Sequence, residues 1–272
     1  MDPSHRERLK RVRRVVLFAV VISPVFYFAP LPVLFFILCG ALDVGRHRKI
    51  TYQLIERYFT GNGFGTWLMS PVNLLIDLIS DRNPGTHRLD DLPSDHRRET
   101  EACVQAFIAN GDLIKSHLEA PLERNRRCML TFKWFGGSQA TGVTIPAFER
   151  DYRYIKTIAV SAFRTRERTT WHFGPLRLTY RVLYNLEPIA SKDVFIQVDD
   201  ATHYWSEDPL FIFDDTRFHR SVNDVDHSRY CLFMDIVRPN HFETLFGFAV
   251  SVTGVIAGLF KRIFYNHWTF VR

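Results

Sequence analysis

The chain has 272 residues, enough for one globular domain with additional segments. Hydrophobic residues reach 46% and aromatics 14%, including 24 Phe, more than a soluble core of this size needs, and the surplus falls in two runs. A net charge of +6 suits an anionic partner surface, while four scattered cysteines without CxxC spacing exclude a disulfide framework and a structural zinc site and fit a reducing compartment.

Residues 1–14 carry six basic side chains (Arg6, Arg8, Lys10, Arg11, Arg13, Arg14) against Asp2 and Glu7. Val15 to Leu42 then runs for 28 residues without a charge, the length of a membrane segment. It is too long and too Pro-interrupted for the apolar region of a cleaved signal peptide. Pro24, Pro30 and Pro32 break it, and Arg46, Arg48 and Lys49 follow it. Two basic flanks favour a hairpin that turns near Ala29–Pro32 and returns to its starting face, with a single kinked crossing as the alternative.

Residues 51–94 read as interfacial helices and a linker. Trp67, Leu68, Met69, Val72, Leu75, Ile76 and Ile79 form an apolar stripe for a membrane interface or for a core. "DRNPGTHRLDDLPS" (81–94) is the linker. Ser94 is placed as the N-cap of a helix reaching Leu118, with Cys103, Val104, Phe107, Ile108, Ile114 and Leu118 on one face. Pro146 is placed at the start of another helix.

From Tyr154 the pattern becomes β. "IKTIAVSAF", "DVFIQV", "LFIF" and "RYCLFMDIV" read as strands, with turns at Pro188–Asp193 and Asp199–Thr202. Short strands separated by turns predict a mainly β fold with flanking helices, a double-stranded β-helix (jelly roll) over residues 95–240 behind the N-terminal membrane segment (1–50). Residues 241–272 hold a second uncharged run, Thr244 to Phe260, followed by Lys261 and Arg262, read as a membrane-associated segment.

His172 and His219 lie 47 residues apart, each beside an alternating apolar run, and Arg229 follows at the start of the next strand. A strand-held histidine pair with a later arginine is the layout of an iron(II)/2-oxoglutarate oxygenase.

The residues around this pair carry a resemblance. His172-x-Gly174-Pro175, Arg181, Phe213-Asp214-Asp215-Thr216, Phe218-His219, Asn223-Asp224, Arg229 and Asp235-Ile236-x-Arg238-Pro239 stand in the order of the aspartyl/asparaginyl β-hydroxylase family. Within it, they look like the membrane-bound bacterial branch that hydroxylates acyl chains of lipid A or ornithine lipids. Lys133-Trp134-Phe135-Gly136 and Ser161 stand where the family has comparable residues.

The resemblance implies Fe(II) held by His172 and His219, with Asp215 orienting a water at the metal's third position. That family needs no acid two residues after the first histidine, and here this position is Gly174. The resemblance also implies 2-oxoglutarate bound through its distal carboxylate by Arg229 with Ser161, and Arg181 beside cosubstrate or substrate. The chain departs from the pattern at Leu183, where the family has the histidine of Arg-x-His, and at Arg166-Glu167, where it has Pro-Gly.

These implications give hydroxylation of a membrane lipid acyl chain, by a catalytic unit facing the cytosol from the inner membrane. The partners are then the lipid substrate and the bilayer, with no nucleic acid. Two other readings stay open: a protein Asp/Asn β-hydroxylase of the same chemistry, and a silent lipid-binding jelly roll.

Overall fold

A computed structural model of the chain describes residues 3–264 and 267–272, with side chains described for 9–254 and 267–272. Arg6, Arg8, Lys261 and Arg262, named above as basic flanks, lie outside the described side chains. Five helices come first: α1 (Pro3–Phe28), α2 (Pro30–Val44), α3 (Tyr52–Thr60), α4 (Phe64–Leu68) and α5 (Ser70–Ile79). Strand β1 (Thr86–His87) precedes α6 (Ser94–Ala109) and α7 (Gly111–Arg124). Next come β2 (Arg127–Trp134), β3 (Gly137–Ser138), the short α8 (Pro146–Glu149), β4 (Ile155–Phe163), β5 (Glu167–Arg168) and β6 (Thr179–Asn185). The strands β7 (Val194–Val198), β8 (Ala201–Tyr204), β9 (Leu210–Phe213), β10 (His219–Asn223) and β11 (Arg229–Val237) follow. Helix α9 (Glu243–Phe264) and strand β12 (Thr269–Val271) complete the order.

The strands form two sheets. The larger runs β1-β9-β6-β11-β4-β2-β12 with β3 beside β2, and the smaller runs β5-β10-β7-β8. Pairing is antiparallel except for β12, which lies parallel to β2. Alternation along β11 explains why both its faces are buried. Tyr230, Leu232, Met234 and Ile236 pack with α6 and α7 residues such as Phe107 and Leu118, while Cys231 and Phe233 face Val194, Ile196 and Val198 of the smaller sheet. The result is a layer of helices over the back of a two-sheet jelly roll.

Several expectations change. The uncharged N-terminal run is not one span: α1 ends at Phe28 and α2 begins at Pro30. No helix among the described residues is long and apolar enough to cross a membrane, which corrects the expected membrane-spanning segment; the run folds instead as two helices, α1 and α2, that pack against each other. Its two arms return to α3, where Arg14 donates to Glu56 at one arm's base (2.6 Å) and Tyr58 donates to Asp43 at the other's (2.7 Å). Trp67 ties the arms together, its ring tilted against that of Phe18 (5.4 Å) and its indole N–H donating to the Phe36 carbonyl (2.8 Å).

Residues 51–94 pack against the jelly roll. Thr66 donates to the Gly174 carbonyl (2.9 Å) and Asn73 to that of Pro175 (3.1 Å). The stripe on this segment divides, with Trp67 and Ile76 buried and Leu68, Val72 and Leu75 exposed. The C-terminal segment is not only membrane-associated, because β12 extends the larger sheet. The helix expected over Ser94–Leu118 breaks at Asn110–Gly111, Pro93 rather than Ser94 is its cap, and Ile108 is exposed.

Candidate metal and cosubstrate site

His172 and His219 face each other across an isolated antiparallel bridge. Each backbone N–H donates to the other's carbonyl, at 2.9 and 3.0 Å. The rings lie 4.1 Å apart, centroid to centroid. His219 owes its position to β10, whose pairing with β7 begins at His219 opposite Val198. His172 is fixed three residues beyond Thr169, whose N–H donates to the Ser221 carbonyl (2.9 Å). Nδ1 of His172 lies 2.7 Å from the Thr170 carbonyl, and Nδ1 of His219 lies 2.8 Å from that of Arg217. A carbonyl only accepts, so both imidazoles carry their proton on Nδ1 and present the Nε2 lone pair. Burial lowers the His172 pKa to about 4. It holds His219 well below its ordinary value, with His172 adding to the effect. Both rings are therefore neutral near pH 7, the form that ligates a metal.

Gly174 is a requirement of this pocket. A Cβ there would overlap the carboxyl group of Asp215, and the Gly174 N–H donates to the Asp215 carbonyl (2.7 Å). The volume that a third, carboxylate ligand at 174 would occupy is filled by Asp215 itself. Nη1 of Arg181 lies 2.9 Å from the Asp215 carboxylate. The same guanidinium donates through Nε and Nη2 to Asp235 (3.0 and 2.9 Å) and covers the Phe233 ring (4.0 Å). Arg181 is thus the cation between two inward carboxylates. Burial pushes the Asp215 carboxyl up to about 6 against the pull of Arg181.

Asp214, fully buried, faces the other way. Its carboxylate accepts from Arg46 (2.9 Å), Asn83 (2.7 Å) and the Thr216 hydroxyl (2.6 Å). Burial works to raise its pKa, but Arg46, Arg177 and Arg217 together hold it far below the usual carboxylate range.

Arg229 is 3% exposed and sits on the inter-sheet face of β11 between the rings of Phe163 (4.7 Å) and Trp205 (5.4 Å). Nη2 donates to the Ser221 hydroxyl (2.8 Å), whereas Nε and Nη1 are buried without a partner. The buried indole Nε1 of Trp205 is also unpartnered. Buried charged donors without acceptors are costly and rare; a carboxylate would satisfy them. Ser161 donates to the Cys231 carbonyl (3.2 Å) and pairs in register with Cys231, two residues along β11 from Arg229. Leu183 is buried in the inter-sheet core.

Reading the sequence alone missed Ser221 and Trp205. Ser221 had a signal, since it lies two residues after His219 on a strand and so shares its face. Trp205 lies beyond β8 and had none. Among the described residues no cluster of three or more His, Cys, Asp or Glu suits a metal. The chain offers two imidazoles, and these fit an iron held without a protein carboxylate.

The fold is a jelly roll that carries a two-histidine bridge and, on the inter-sheet face of β11, a buried arginine with two unpartnered N–H groups. Residues 143–239 match the family described as Aspartyl/Asparaginyl beta-hydroxylase. An ornithine lipid ester-linked acyl 2-hydroxylase of Rhizobium tropici is 31% identical over 86 residues, covering 31% of each chain. The match thus spans under a third of that relative's length. Among solved structures, a viral collagen prolyl hydroxylase from Paramecium bursaria Chlorella virus-1 is 12% identical, covers 54% of this chain and 91% of its own, and has a TM-score of 0.33. A 2OG-Fe(II) oxygenase family protein from Burkholderia pseudomallei is 11% identical over 35% of this chain and 50% of its own, with a TM-score of 0.26. The jelly roll rests on the strand pairing described above.

Proposed function

We propose that the protein hydroxylates the acyl chain of a membrane lipid, of the lipid A or ornithine lipid type, using Fe(II) and 2-oxoglutarate. The observation that carries this reading is Arg229: a buried guanidinium with two unpartnered N–H groups, on the strand face turned toward the smaller sheet that carries His219. Hydrogen bonds to charged groups are stronger than neutral ones, so the distal carboxylate of 2-oxoglutarate would gain most from these donors.

In this reading His172 and His219 hold the iron through Nε2, and Arg229 anchors the cosubstrate, with Ser161 a short distance along the same surface. Asp215, fixed by Arg181, orients a water beside the histidines. With dioxygen as the oxidant, iron and 2-oxoglutarate held by these residues would supply the chemistry that inserts one oxygen atom into a C–H bond, the second oxygen atom going into succinate as CO₂ leaves. The packed aromatic and aliphatic residues between the sheets keep bulk water away from the cosubstrate carboxylate.

Two features support a lipid substrate: the function named for the Rhizobium relative, and the apolar helical hairpin beside the histidine bridge. The buried thiols and the basic flanks of the hairpin fit a catalytic unit on the cytosolic side of the inner membrane. A silent lipid-binding protein is the second reading, favoured by Leu183 at the family's histidine position. Comparing lipid mass spectra of cells with and without the gene tests the proposal. One lipid class heavier by a single oxygen atom is expected in the presence of the gene; identical spectra would contradict it.

A further inference from the structure

Three helices that pack against one another each leave an apolar stripe uncovered. On α2, Val33, Cys39 and Val44 are buried, while Leu31, Phe35, Leu38 and Leu42 stand out, Leu31 at 77% exposure. On α5, Ser70, Asn73 and Ile76 are buried and Leu75 and Leu78 are exposed. On α9, Phe246 and Val250 are buried and Leu245, Phe248 and Val252 are exposed. Helix α5 packs on α2, shares a core with α9 through Ile76 and Ile79, and is tied to it by the Ser80–Asn240 bridge. A helix apolar on both faces needs cover on both, and an uncovered patch of this extent marks a contact surface.

We propose that α1, α2, α5 and α9 form a platform that inserts into an anionic lipid bilayer from one face without crossing it. The hairpin protrudes most at its turn, where Tyr27 and Phe28 are 80% and 82% exposed. Its uncharged arm from Val15 to Phe28 is 14 residues, about 21 Å of helix. That exceeds half of a hydrocarbon core of about 30 Å but not the whole. Charge selects the partner. Lys10, Arg13, Arg48 and Lys49 are exposed at the open end of the hairpin. Between Leu9 and Ile50 Asp43 is the one acidic residue, and it is buried against Arg177 and Tyr58. Anionic headgroups complement this positive collar, whereas a second copy of the chain would bring the same positive ends. The platform belongs to the helices and holds whatever reaction the jelly roll performs.

The test uses the purified full-length chain, sedimented with phosphatidylcholine vesicles with and without phosphatidylglycerol. Binding is expected to rise with the anionic lipid and fall with salt. Phe28→Glu combined with Leu31→Glu should reduce the bound fraction at least tenfold while circular dichroism and Mn(II) binding stay unchanged. Phe248→Ser, on α9, should reduce it several-fold. A maleimide on Phe28→Cys should be shielded from aqueous quenchers on both sides of the vesicle. Labelling of that cysteine from the far side would overturn the one-sided insertion. Unchanged sedimentation of the tip variant, or light scattering showing a dimer with no vesicle binding, would overturn the platform itself.

Discussion

Gly174 and Asp215 share one volume: the carboxyl group of Asp215 occupies the space into which any side chain at 174 would project. The missing acid two residues after His172 is therefore a packing requirement as well as an absent ligand. Gly174→Ala should displace Asp215 and destabilise the protein by about 1–3 kcal/mol, the usual cost of overpacking. Gly174→Asp should not restore a carboxylate ligand, because two acids would compete for one buried space. Thermal denaturation and Mn(II) titration of both variants check this; tighter metal binding by Gly174→Asp would refute it.

Acid should weaken the metal-free protein through its histidine bridge. His172 titrates near 4 in the folded state, lowered by burial, and His219 well below its ordinary value; unfolded histidine titrates near 6.5. The folded state thus binds fewer protons than the unfolded one between these values. The stability they contribute is complete above about pH 6.5 and is lost as pH falls toward 4. His172→Asn and His219→Asn should flatten this limb. Urea denaturation of chelator-treated protein across pH 4–7 measures it, and an unchanged slope in both variants would count against it.

Arg229, Trp205 and Ser221 converge on the proposed carboxylate. Hydrogen bonds to charged groups contribute about 1.5–3 kcal/mol, so Arg229→Ala should weaken 2-oxoglutarate binding by at least tenfold, and Arg229→Lys by less because the charge stays while the fork is lost. Trp205→Phe keeps the ring and removes one N–H, and should weaken binding several-fold. Ser221→Ala should have a smaller effect of the same sign. Asp215→Asn should leave this affinity near the wild-type value and lower turnover. Calorimetric titration into the Mn(II)-loaded protein separates these outcomes.

The hairpin and the site loop are joined by buried charge. Arg177, with no exposed surface, bonds Asp43 of α2 (2.5 Å), Asp77 of α5 (2.6 Å) and the Thr216 hydroxyl (3.1 Å), the last one residue from Asp215. Removing one partner from a buried charge network costs about 3–5 kcal/mol because the others are left uncompensated. Arg177→Met should therefore lower stability by this amount, read from the midpoint of chemical denaturation. A near-neutral result would show that water reaches the cluster.

Strands β4, β7, β9 and β11 were legible because a two-residue alternation needs no partner to be recognised, and the two histidines stood out on that background. The carboxylate partners were not legible: Arg177 and Asp43 lie 134 positions apart, and no local pattern specifies such a pairing. Hydropathy marked residues 15–42 as apolar and the prolines pointed to a turn near Ala29–Pro32; the break between the two helices falls at Ala29, between Phe28 and Pro30. Strand β12 escaped because three residues pairing in parallel with β2 carry too short a pattern to read. Arg181 was expected at the cosubstrate or substrate; its place between Asp215 and Asp235 follows from register, Arg181 pairing with Asp235 on β11.

The most direct measurement of the proposed chemistry is incubation of the purified protein with Fe(II), 2-oxoglutarate, isotopically labelled dioxygen and extracted bacterial membrane lipid, followed by mass spectrometry of the lipid and assay of succinate. The account predicts one labelled oxygen atom per modified acyl chain, succinate formed in equal amount, and loss of both in His172→Ala and Arg229→Ala. Succinate and labelled lipid absent from the wild-type reaction, with 2-oxoglutarate failing to bind saturably, would contradict it.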